Sequence, residues 1–186
     1  MRLPRHAMRP LAGRCLPALA ALALLACAPA AALARENLRF DPAALGACVE
    51  GGGGGDCIGQ AADACMAATE GGYSNRGMIA CIAAELAWWE AGLDASYKEL
   101  HTREQKLDSE LSEGIAGMPP RPSGADSLRD LQRAWTVYRD ASCDYEALDW
   151  WGGTGAGLMI VSCRLQMTAD QALQLRDYLT ERMGDD

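Results

Sequence analysis

Histidine is almost missing from this chain. Two occur, His6 and His101, and only His101 lies outside the basic start. A zinc site built on the usual His and Cys spacings lacks ligands. No C-x-x-C pair occurs either, which removes a thioredoxin-like redox site. A Ser-His-Asp hydrolase would have to use His101, which sits among Lys98, Glu99, Thr102 and Arg103, the composition of a solvated face. Strand-like alternation longer than a few residues is absent, which points away from sheets. No Lys-Ser or Lys-Thr follows the glycine runs Gly51–Gly55 or Gly152–Gly157, so neither reads as a phosphate-cradling loop.

What is present begins with an export signal. Arg2, Arg5, Arg9 and Arg14 precede the apolar run Leu16–Ala26, and Ala32-Leu33-Ala34 fits a small-x-small cleavage site. Residues 1–34 are therefore expected to be removed, leaving Arg35 first. A rival route is lipoprotein processing at Leu24-Leu25-Ala26-Cys27, which would anchor the chain through a lipid on Cys27. A membrane span is not expected, because Leu16–Ala34 is Ala-rich, carries Pro17 and Pro29 and has no stop-transfer pattern. Either route leads to the periplasm or the exterior. Losing residues 1–34 removes four of the 17 basic residues and none of the 25 acidic ones, leaving 13 against 25, a net charge of −12. Such a surface repels nucleic acid and anionic lipid and steers basic partners toward it.

Eight cysteines occur, and Cys15 and Cys27 belong to the signal. The remaining six, Cys48, Cys57, Cys65, Cys81, Cys143 and Cys163, form an even set behind an export signal and read as three disulfides. About fifteen pairings are formally open. Short loops close most readily, so we expect Cys48–Cys57, Cys65–Cys81 and Cys143–Cys163.

Helical periodicity organises the rest. Residues 35–56 are expected to be irregular, since Pro42 and the five glycines disfavour regular structure. The domain proper then spans 57–182. A short helix is expected within 57–70. Ile82, Leu86, Trp89, Leu93, Tyr97 and Leu100 recur at steps of three and four and predict a long helix over about 78–113, with Ser74 or Asn75 as its cap. Pro119, Pro120 and Pro122 force a turn within 114–124. Leu128, Leu131, Trp135, Tyr138 and Ser142 then predict a returning helix over about 126–147, capped by Asp126 or Ser127. A last helix is expected over 163–182. The predicted fold is all-α: a long antiparallel helical hairpin, a C-terminal helix and one short N-terminal helix, stapled by disulfides.

Carboxylates are plentiful on these helices, among them Glu85, Glu90, Asp94, Glu99, Glu104 and Asp108, and all read as solvated. No facing pair of the kind a glycosidase needs is evident, and all six cysteines are used, so no catalytic residue, metal or cofactor is expected. Asp149, Trp150 and Trp151 stand in a glycine-rich loop just beyond the second helix. Tryptophan is enriched at binding hot spots, and these three are the candidate partner-binding residues.

Gln132-Arg-Ala-Trp135-x-x-Tyr138-Arg139-Asp140-Ala141-x-Cys143 is similar to the signature of the LprI-like lysozyme inhibitor N-terminal domain family of exported bacterial proteins. Leu93-Asp94-x-x-Tyr97-x-x-Leu100 resembles that family's Leu-Asn-x-x-Tyr-x-x-Leu, and Gly152-Gly153-Thr154 its Gly-Gly-Ser. Cys163, Leu165, Thr168 and Leu175 resemble its closing helix. Glu90, Asp94 and Gln171 depart from the family's usual Asp, Asn and Arg. The likeness runs from about Cys65 to Leu179. It implies an inhibitor that binds a lysozyme, a basic enzyme, and not an enzyme itself. The signature residues Leu93, Tyr97, Gln132, Trp135, Tyr138, Arg139 and Asp140 are expected to serve mainly as core. The rival reading is an envelope structural or assembly module that binds another protein.

Overall fold

The computed structural model describes residues 38–112, 114 and 117–181. The expected export signal and Cys27 lie outside the described residues. The architecture is all-α, with no strand among the described residues. Among the described residues five helices run in order: α1 (Ala43–Glu50), α2 (Gln60–Ala68), α3 (Asn75–Glu110), α4 (Gly124–Glu146) and α5 (Ala156–Glu181), with short 3-10 turns at Gly54–Cys57 and Ala147–Trp150.

α1 corrects the expectation of an irregular segment over 35–56. The helix ends where the glycines begin, and Ala43-Ala44-Leu45 before them favour helix. Leu45 and Val49 anchor it in the core, and the Cys48–Cys57 disulfide closes the glycine run behind it. Cys65–Cys81 ties α2 to α3, and Cys143–Cys163 ties α4 to α5. The pairing thus follows nearest neighbours.

α3 is 36 residues long, about 54 Å at 1.5 Å per residue. Ser74 caps it by accepting from the Gly77 N–H. Its main partner is α5, not the returning helix α4. α5 runs parallel to α3: Gly157 lies beside Ile79, and Arg103 reaches the Leu179 carbonyl. α5 also begins seven residues earlier than expected, because Leu158 and Val161 belong to its core-facing side. Ile82, Trp89, Leu93 and Leu100 of α3 interlock with Leu165, Ala169, Ala172 and Leu175 of α5.

α4 lies antiparallel to both. Ties to α5 set its roll: Gln132 to Gln171, Arg139 to Thr168, Asp140 to Arg164, and Cys143 to Cys163. This roll places Leu128 and Trp135 against the core but turns Leu131 and Tyr138 outward. Tyr138 is 65% exposed, which overturns its expected core role.

The turn between α3 and α4 is built on two acids that the sequence reading took as solvated. Asp108 accepts from the Gly124 and Ala125 N–H groups, from the Ser123 hydroxyl and from Arg121. The cap residue of α4 is Ser123, not Asp126 or Ser127; its side chain accepts from the Asp126 N–H. Glu104 is buried and pairs with Arg121. The backbone N–H of Gly124, then those of Ala125 and the Ser123 hydroxyl, hold the Asp108 pKa down from 3.8 to about 2.

A depressed carboxyl contributes stability above its unfolded pKa and loses it as the pH falls through the folded one. Asp108 should therefore stabilise the fold fully above about pH 4 and progressively less toward pH 2. Asp108→Asn is expected to narrow its stability gap from wild type over that window, read from urea midpoints. Parallel acid profiles for the two proteins would remove Asp108 as a source of the acid dependence.

Candidate functional site

Two surfaces stand out. The first is the far end of α4. Tyr145, Leu148, Trp150 and Trp151 are all exposed there, with Trp150 at 49% and Trp151 at 86%. Asp144, Glu146 and Asp149 lie exposed between them. This end is held firmly. Cys143 is fully buried in its disulfide, and the six-ring of Trp150 rests so close to Gly155 that a Cβ there would come within 2.4 Å of it. Asn75 donates to the Thr154 carbonyl at 2.5 Å, docking the glycine loop onto the start of α3. Asp149 and Trp150 belong to the 3-10 turn, and Trp151 closes it in an extended conformation. The three candidate partner-binding residues therefore share one acidic and aromatic corner.

The second surface is a groove of about 700 Å³ between α3 and α4. The sequence assigns Leu93, Tyr97, Gln132, Trp135 and Arg139 of this groove mainly to the core and Glu90 and Asp94 to a solvated face. Leu93 and Tyr97 line one wall, and Gln132, Trp135 and Arg139 the other. Leu93 is buried at the base, and Tyr97 and Trp135 are partly buried. The Arg139 guanidinium stacks 4.9 Å above the Trp135 ring, bonds Asp140 through Nε and Nη2, and reaches Thr168 through Nη1 at 3.3 Å. Asp140 thus orients Arg139, which in turn fixes the indole. Thr168 of α5, fully buried, forms part of the floor.

The reading missed Arg129, Arg133, Thr136 and Thr168 in this groove. Their spacing carried a signal: Arg129, Gln132, Arg133, Thr136 and Arg139 recur at helical steps on α4, as Glu90, Asp94 and Tyr97 do on α3. It also missed Glu85. Glu85 is fully buried, its Oε1 accepting from the Gly59 N–H and Trp89 Nε1 and its Oε2 from the Ala62 N–H. It is a structural carboxylate that satisfies the start of α2. Among the described residues no group of three His, Cys, Asp or Glu is placed to hold a metal, and no helix is long and apolar enough to cross a membrane.

Comparison with known proteins finds relatives in two bacteria. The chain is 30% identical over 120 residues to an uncharacterized 17.7 kDa protein in the puhA 5′ region of Rhodobacter capsulatus, covering 64% of this chain and 72% of that one. It is 26% identical over 91 residues to an uncharacterized protein of Rhizobium meliloti strain 1021, covering 48% and 63% respectively. No solved structure matches. The family described as lysozyme inhibitor LprI matches residues 65–175, which carry α3, α4, most of α5 and both surfaces. With more than half of its length matched, this chain belongs to the LprI lysozyme-inhibitor family.

Proposed function

We propose that the protein is exported to the periplasm or the exterior and inhibits a basic, wall-degrading lysozyme by direct binding, without catalysis of its own. Family membership supports the inhibitor class, and three disulfides suit an oxidising compartment. The observation that carries the choice of surface is Trp151, 86% exposed on a disulfide-held corner beside Asp149. A large rigid aromatic loses little conformational entropy on binding, and the carboxylates around it complement a cationic enzyme. The net charge of −12 after signal removal adds long-range attraction that salt screens.

Purified protein should inhibit a c-type lysozyme in a lytic assay at low salt and less well at high salt. Trp151→Ala should weaken inhibition by at least about tenfold, and the Trp150→Ala, Trp151→Ala pair by more, as expected for hot-spot residues. Inhibition that survives both substitutions would place the contact elsewhere. No inhibition at micromolar protein by either c-type or g-type assay would reject the reading.

A further inference from the structure

The geometry points to a second binding site: the groove between α3 and α4 takes a short peptide with a free amino end and a free carboxyl end. Its volume of about 700 Å³ falls within the range, roughly 300–1,000 Å³, of small-ligand sites. The groove stays open for a structural reason. The ties from Gln132 and Arg139 run down to α5, not across to α3. Along this stretch α4 is thereby fastened to the floor rather than to the opposite wall.

The two walls carry opposite charge. Glu90 and Asp94 line the α3 side, and Arg129 and Arg133 the α4 side. Their ion pairs run along each helix and leave the groove unspanned: Asp94 with Lys98, Arg129 with Asp126 and Asp130, Arg133 with Asp130. Asp126 and Asp130 do not line the groove, whereas Arg129 and Arg133 do. Each guanidinium has about five N–H donors, more than its one or two aspartate partners use, so donors remain for a ligand carboxylate in paired geometry. Between the charged rims lie Leu93, Tyr97 and Trp135, an apolar and aromatic bed for a peptide body. Trp135 is pinned by Arg139 above it, so the bed is already formed.

A polyanion would meet Glu90 and Asp94, and a polycation would meet Arg129 and Arg133. A molecule with one charge of each sign at its ends satisfies both walls. These side chains are largely exposed, so binding is weak, with a dissociation constant on the order of a millimolar or somewhat below.

Tetra-alanine with free ends is the probe, titrated into ¹⁵N-labelled protein while the Trp135 indole N–H is followed by NMR. N-acetyl tetra-alanine amide and a chitin tetrasaccharide are run in parallel. The free peptide should shift the Trp135 signal saturably, and the capped peptide should bind at least tenfold more weakly. Arg133→Ala and Asp94→Ala should each weaken the free peptide at least threefold and leave the capped one unchanged. Trp151→Ala should leave peptide binding intact, which separates this site from the lysozyme contact. Equal binding of capped and free peptide, no peptide shift at 10 mM, or a response to the saccharide alone would each overturn the proposal.

Discussion

Glu85→Ala is expected to destabilise the protein by about 3–5 kcal/mol, a large part of the stability of an ordinary domain. The carboxylate lies wholly inside the fold and is the acceptor for two backbone N–H groups and one indole N–H. Truncation leaves those donors facing a cavity, and each buried donor without a partner costs about 1–3 kcal/mol. α2 also loses the negative charge at its N-terminus, where the unsatisfied N–H groups concentrate positive potential. Gly59 makes this arrangement possible. At φ +88 it turns its N–H toward Glu85, a conformation that side chains rarely adopt. Glu85→Gln should cost less, about 2 kcal/mol, since one oxygen still accepts while the new NH₂ opposes a donor. Urea unfolding at neutral pH measures both. A loss below about 1 kcal/mol for the alanine variant would show that water or a rearranged turn replaces the carboxylate.

Gly77→Ala should destabilise by about 2–3 kcal/mol, although alanine is the better helix former by about 1 kcal/mol. A Cβ at Gly77 would sit 2.2 Å from the Gly71 carbonyl oxygen and 2.7 Å from the Gly72 Cα. These are backbone atoms of the turn that joins α2 to α3, and Cys65–Cys81 holds the two helices together there. The turn cannot yield without moving the start of α3. Gly92→Ala is the matched control. Gly92 lies in the same helix with nothing within 4 Å of a Cβ, so it should stabilise by about 0.5–1 kcal/mol. Thermal unfolding midpoints should therefore move in opposite directions. A shift of the same sign would mean that packing at Gly77 is not what sets its effect.

The helices were legible because their apolar spacing is strong. The stripe from Ile82 to Leu100 predicted α3 to within a few residues at each end, and the prolines marked its return. The roll of α4 was not legible. Leu131 and Tyr138 fit the same three-four pattern as Leu128 and Trp135, and only ties to α5 decide which of them turn inward. α1 was hidden by the glycines that follow it. Glu85, Glu104 and Asp108 read as solvated acids because their partners come from turns 13 to 26 residues away, which local spacing cannot reveal. The groove was missed for the same reason. Its residues look like two ordinary amphipathic faces until α5 holds them apart.

Binding of a basic lysozyme at the Trp151 corner would leave a local footprint on the backbone amides. Amide hydrogen exchange of an equimolar mixture with a c-type lysozyme tests it most directly. Added protection should centre on residues 144–155, around the Cys143–Cys163 disulfide, and should weaken as salt is raised. Protection confined to other helices, or none at all while the enzyme is inhibited, would contradict the account.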